Sequence, residues 1–209
     1  MGHPEQPFDR GYWEDRYAEP GFTWSGDPNP VLVTEATPLR PGLALDVGSG
    51  EGGDALWLAS RGWRVTGVDI ATNALAKAAA RAMAADPEAA ARIEWKQRDL
   101  GSWVPDEGVY DLVSSQFMHL PEPARSTLFR ALAAAVAPGG TLLIVGHDVS
   151  GAEAGDHGTH LHELMFGVDD VLAAIEEERL RVEVAETRSR QSAGGTTMHD
   201  VVVRAIRPR

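Results

Sequence analysis

The stretch Leu43-Ala44-Leu45-Asp46-Val47-Gly48-Ser49-Gly50-Glu51-Gly52-Gly53 constrains the chain more than any other. Leu43 to Val47 is apolar but for Asp46 and follows the Pro41-Gly42 break, so it reads as a short buried strand. Glycines come next, and Asp54 to Ser60 reads as a short helix with Gly62 as its stop signal. Strand, glycine turn and helix make half of a βαβ unit. Such a turn takes positive φ and brings bare backbone close to a ligand, and the helix start adds free N–H groups. It is the kind of turn that holds a nucleotide cofactor, and Gly48-x-Gly50-x-x-Gly53 fits the dinucleotide fingerprint literally.

Two acids, Asp46 and Glu51, set this turn apart from that fingerprint. A pyrophosphate at a helix start wants positive potential. A cofactor with a cationic methionine-like end and a ribose accommodates carboxylates instead. The next strand, Trp63 to Asp69, ends in an acid about twenty residues beyond the glycines, where it can bind ribose hydroxyls. On these residues the chain resembles the class I S-adenosylmethionine-dependent methyltransferases. Their first motif, an acid then x-Gly-x-Gly-x-Gly, stands here as Asp46-Val47-Gly48-Ser49-Gly50-Glu51-Gly52. With the aromatic stretch ahead of the motif, the chain also looks loosely like the branch that includes tellurite-resistance and thiopurine methyltransferase-type enzymes.

Beyond the turn, Thr72 can cap a helix running to about Ala85, where Asp86-Pro87 interrupts it. Arg92 to Gln97 and Tyr110 to Gln116 read as strands. Pro121-Glu122-Pro123 opens a helix whose core stripe is Leu128, Ala131, Leu132, Ala135 and Val136. Pro138-Gly139-Gly140 ends it, and Thr141 to Gly146 is the fifth strand. A helix spans Val168 to Ile175, and Leu180 to Arg188 and Thr197 to Ile206 are two last strands that alternate as antiparallel edge strands do. Strands alternating with helices mean an α/β fold with helices on both faces of a mostly parallel sheet. The resemblance implies a Rossmann-like seven-stranded sheet, order 3-2-1-4-5-7-6, with the last strand antiparallel. Residues 43–209 form the cofactor-binding domain. Residues 1–42, rich in Pro, Gly and aromatics, form an arm, with Trp24 and then Tyr17 the residues expected to cover the cofactor.

The site residues are what the resemblance implies, position by position. Asp46 would help hold the methionine ammonium end, with Gly48, Ser49 and Gly50 against the cofactor. Asp69 would take the ribose hydroxyls and Ile70 would pack on adenine. Asp99 would meet the adenine amino group and the Leu100 N–H a ring nitrogen. Gln116 and Phe117, ending the fourth strand, would lie near the methionine portion. His119 and His147 are the candidate bases, needed only if the acceptor arrives protonated. His157, His160 and His162 follow no metal-ligand spacing, and no metal is expected.

A formal net charge of −12 argues against nucleic acid or an anionic membrane as partner. No cysteine is present, which excludes disulfides and a cysteine nucleophile. No apolar run is long enough to span a bilayer, so a cytoplasmic protein is expected. The expectation is S-adenosyl-L-methionine-dependent methyl transfer to a small molecule. A nicotinamide-dependent oxidoreductase and a non-catalytic cofactor-binding protein are the alternatives.

Overall fold

Alternation of strand residues between two faces builds the core. In β1 (Leu43–Val47) Leu45 and Val47 enter one apolar layer and Ala44 the other. In β4 (Tyr110–Gln116) Val113 and Leu112 divide the same way, as do Ile144 and Leu143 in β5 (Val136–His147). Val201 and Val203 oppose Val202 in β7 (Thr197–Ile206). Strands buried on both faces need this period-two split with apolar residues on each side. One layer is closed by α6 (Ala124–Ala134) and α7 (Val168–Ile175), through Leu128, Phe129, Leu132, Val171 and Ile175. The other is closed by α2 (Pro30–Ala36) and α3 (Gly53–Ser60), through Leu32, Ala55 and Leu58.

This computed structural model describes residues 9–148, 164–191, 195 and 197–209. Its remaining elements are α1 (Arg10–Ala18), β2 (Arg64–Asp69), α4 (Thr72–Ala85), α5 (Pro87–Ala90), β3 (Ile93–Gln97) and β6 (Arg181–Gln191). The sheet has the expected order, β3-β2-β1-β4-β5-β7-β6. Strands β1 to β5 pair in parallel, and β7 runs antiparallel to both of its neighbours. The strand order turns back between β1 and β4, so the crevice lies beyond the carboxyl ends of these two strands. No helix among the described residues is long and apolar enough to cross a membrane.

Three local expectations are corrected, and the Asp86-Pro87 break after Ala85 is where it was expected. Thr72 does not cap α4 but is its first residue, preceded by Ala71 without a side-chain cap. The cap comes from Glu14 of the arm, whose carboxylate accepts from the Thr72 and Asn73 N–H groups at 2.9 Å each. Helix α6 stops at Ala134, and β5 already begins at Val136 and runs through Pro138-Gly139-Gly140. Tyr110 pairs with Val136 and Leu112 with Thr141, so an irregularity absorbs the extra residues and leaves Ala135 and Val136 buried as strand and link rather than helix. Asp86 does more than interrupt a helix: its side chain caps α5 through the Ala89 N–H. Of the last two strands only β6 lies at a sheet edge, because β7 is enclosed between β5 and β6.

Candidate functional site

The turn after β1 is fixed by the end of β2. Gly48 and Ser49 both donate backbone N–H bonds of 2.9 Å to the Val68 carbonyl. The Asp69 carboxylate accepts from Gly50 N–H on one oxygen and from Ala71 N–H on the other, each at 2.9 Å. Gly48 and Gly50 both hold positive φ, +71° and +50°, and nearby side chains take the space that a Cβ would fill. A Cβ on Gly48 would meet Met118, and one on Gly50 would meet the Tyr17 hydroxyl at 3.2 Å. Glycine is therefore required at both places by conformation and by close approach.

Three carboxylates surround this turn. Asp46 is 2 % exposed, and its Oδ2 atom has no hydrogen-bond partner. Burial, then Asp54 and Asp69, hold its pKa well above the usual carboxylate range. Burial pushes Asp54 up to about 6, against the Asn29 N–H bond that favours its charge. Asp69 is raised as well, mainly by burial. The Ser49 hydroxyl and Gln116 Oε1 are also buried without partners. Gln116 lies one residue beyond the Val47–Ser115 pair, level with Gly48. A corner with unpartnered acceptors and carboxylates that resist ionisation is prepared for a ligand carrying positive charge and hydrogen-bond donors.

The arm lies on this turn. The Glu51 carboxylate accepts from Thr23 N–H and Trp24 N–H and pairs with Lys77 at 3.4 Å. A Cβ on Gly53 would meet the Gly26 carbonyl at 2.6 Å. Tyr17 is buried, stacks on Trp13 and packs with Ala71, Ala74 and Ile70. Its hydroxyl accepts from Trp24 Nε1 at 3.1 Å, and burial pushes its pKa up to about 12. Of the two aromatic residues expected to cover the cofactor, Tyr17 lies against the glycine turn. Trp24 is 53 % exposed and faces the Arg16 guanidinium.

The far side of the crevice is built by the ends of β4, β5 and β7. Phe117 takes φ of +53°, a strained conformation for a bulky residue. His119 Nε2 accepts from the His147 N–H at 3.2 Å, and the other side of the ring meets the Phe117 backbone. Burial, then His147, push the His119 pKa down to about 4. In this geometry the lone pair on Nε2 of His119 is engaged by a backbone N–H. The ring of His147 stacks on His119 at 5.2 Å and places Nδ1 3.1 Å from Asp200 Oδ1.

Asp99 is exposed, and its Oδ1 accepts from Gly101 N–H in an ordinary turn. Leu100 is buried in the main apolar cluster. Gln97 and Arg98 bond to the Ile70 and Asp69 carbonyls, which brings this stretch beside the end of β2. Met118, Asp54, Asp200 and Arg190 were not legible as site residues in the sequence, since each gains its place through a partner distant in the chain. The histidines at 157, 160 and 162 lie outside the described residues.

A family model described as "Methyltransferase domain" matches residues 44–140, from β1 into β5. An uncharacterised methyltransferase of Mycobacterium tuberculosis is 37% identical over 116 residues, 55% of each chain. A ubiquinone biosynthesis O-methyltransferase of Aeromonas salmonicida is 34% identical over 125 residues, 56% of this chain and 49% of that one. The chain thus spans about half the length of the curated relatives it matches. Among solved structures, the N-methyltransferase NodS from Bradyrhizobium japonicum, in complex with S-adenosyl-L-homocysteine, superposes with a TM-score of 0.73 over 96% of this chain and 98% of that one, at 19% identity. Residues 44–140 thus match a methyltransferase domain, and the seven-stranded sheet has the fold of the solved methyltransferase on which it superposes.

Proposed function

We propose that the protein binds S-adenosyl-L-methionine on the turn between β1 and α3 and transfers a methyl group to a small-molecule acceptor. One observation carries this reading: Asp46 Oδ2, the Ser49 hydroxyl and Gln116 Oε1 are buried and unpartnered around bare glycine backbone. The residues fit the cofactor. Asp46 and Gln116 would receive the ammonium end, and Gly48 to Gly50 would lie along it. Asp69 keeps a second lone pair on each oxygen for the ribose hydroxyls. Bound there, the cofactor supplies a sulfonium methyl, an already activated group. The chain has to align and to exclude water, and orientation of this kind supplies up to roughly 7–11 kcal/mol.

Residues 9–29 act in this reading as a cover for the cofactor, with Tyr17 and the 23–27 segment against the turn, whereas α2 belongs to the core. The name of the ubiquinone relative supports a small acceptor. Calorimetry on the full chain tests the assignment. S-adenosylhomocysteine should bind saturably and NADH should give no heat of binding. A clear NADH isotherm with none for S-adenosylhomocysteine would return the turn to the dinucleotide class.

A further inference from the structure

We propose that Arg190 anchors the methyl acceptor, and that the acceptor is a small carboxylic acid held by its carboxylate. The inference rests on the methyl-transfer reading above and names the substrate class of that site. Phe117 directly follows β4 and His147 ends β5, so both stand on the rim where sheets of this kind take their ligands. The closing hairpin brings Arg190 to the same rim. Asp200 on β7 stands opposite His147, and Arg190 lies on β6 two residues beyond Arg188, the partner of Asp200 across the hairpin. Residues two apart on a strand share a face. Arg190 is therefore on the side of Arg188, which meets Glu35 of α2. Its Nε donates to Asp200, and its guanidinium lies over the Phe117 ring, 5.5 Å from the centroid.

The other arginines of the hairpin show what is different here. Arg188 spends its guanidinium on Glu35 and Glu186, and Arg204 spends its own on Glu35 and Glu183. Arg190 meets one carboxylate, through Nε alone, and its two Nη groups make no bond among the described residues. Its side chain is 42 % exposed, while that of Asp200 is 3 % exposed. An arginine that served only to neutralise Asp200 would set two parallel N–H bonds on it, the stronger arrangement. Anchored at Nε and stacked on one face, the guanidinium is instead held in place with its end-on pair of donors unspent. The stack has a conformational cost, because Phe117 holds a φ of +53°. An end-on guanidinium matches the two oxygens of a carboxylate in shape and spacing. Charge selects among anions. Asp200 already offsets the guanidinium, so a carboxylate adds one negative charge beside it and a dianionic phosphate would add two. The rings of Phe117 and His147, 4.7 Å apart, wall the same rim and suit a flat apolar body behind the carboxylate.

Benzoate, benzamide and phenyl phosphate are the probes, and the full chain saturated with S-adenosylhomocysteine is the target. Carbon-13 spectra of the labelled arginine Cζ atoms follow the titration, with the Arg190 signal assigned by its loss in Arg190→Lys. Benzoate should shift that signal saturably, benzamide should leave it unmoved, and phenyl phosphate should bind more weakly than benzoate. Arg190→Lys keeps a cation for Asp200 but lacks the paired donors. Followed at the Phe117 ring signals, it should bind benzoate about tenfold or more weakly, as expected for lost hydrogen bonds to a charged group. Its affinity for S-adenosylhomocysteine should be retained, which a general loss of structure would not allow. An Arg190 signal that benzoate leaves unmoved, or that benzamide shifts equally, would overturn the anchor whether or not the variant folds. A preference for phenyl phosphate would overturn the carboxylate assignment. Failure of the unaltered chain to bind S-adenosylhomocysteine would instead remove the methyl-transfer reading itself.

Discussion

Asp69 shows how one side chain can shape the turn that the proposed cofactor would occupy. Its two oxygens pin Gly50 and Ala71, so the carboxylate shapes the turn before any cofactor arrives. Asp69→Ala should therefore weaken S-adenosylhomocysteine binding about ten- to hundredfold, the equivalent of about 1.5–3 kcal/mol for lost charged hydrogen bonds. Unchanged affinity by calorimetry in a folded variant would remove Asp69 from the site. Asp54 makes a second residue-scale test. Its folded pKa, about 6, lies above the unfolded value of 3.8. Its contribution to stability is then fully present below about pH 3.8 and is lost as pH rises through about 6. Asp54→Asn keeps an oxygen for the Asn29 N–H and no longer titrates. Relative to wild type, its stability in denaturant titrations should rise from pH 4 to pH 7, by about 2–3 kcal/mol. A pH-independent difference would place the Asp54 charge in solvent.

At the scale of elements, the arm and α4 are one mechanical unit. Helix α4 has no side-chain cap of its own, and Glu14 supplies the bonds from a distance of about sixty residues in the chain. Lys77, on the same helix, donates to the Glu19 and Gly21 carbonyls and pairs with Glu51 in the glycine turn. Removing the cap should loosen helix and arm together. Glu14→Ala should cost about 0.5–2 kcal/mol in thermal or denaturant unfolding, the range of a lost N-cap. The same variant should release S-adenosylhomocysteine faster in stopped-flow displacement, because the segment bearing Tyr17 loses its anchor. Unaltered dissociation in a variant destabilised as expected would separate the arm from the cofactor.

Across the whole molecule, Glu35 ties the ends of the chain together. It sits on α2, 6 % exposed, between Arg188 at 2.7 Å and Arg204 at 2.9 Å on β6 and β7. This ion cluster joins an element that precedes β1 to the closing hairpin at the sheet edge. Truncating the shared acid leaves Arg188 paired with Glu186 and Arg204 with Glu183, both guanidinium groups partly open to solvent. Glu35→Ala should lower stability by about 1–3 kcal/mol, the range for a lost hydrogen bond to a charged group. A change below about 0.5 kcal/mol in denaturant titration would show that solvent already screens the cluster.

The sequence alone determined what is local and periodic. Alternation and apolar runs placed the strands, and Thr197–Ile206 matches its expected span residue for residue. The glycine turn was legible because its conformation depends on residues adjacent in the chain. Its two acids were legible because they stand beside those glycines. What depends on neighbours far along the chain was decided only by the tertiary structure. The Glu14 cap, the Tyr17 hydroxyl over Gly50 and the passage of β5 through Pro138-Gly139-Gly140 all follow from packing rather than from propensity. The fates of the two histidines show the reason most clearly. His119 and His147 read alike in the sequence, each a polar residue after an apolar strand. Pairing of β5 with β7 sets Asp200 beside one ring, and a backbone N–H takes the lone pair of the other. Protonation and availability belong to a group's surroundings, and those surroundings exist only once the sheet has closed.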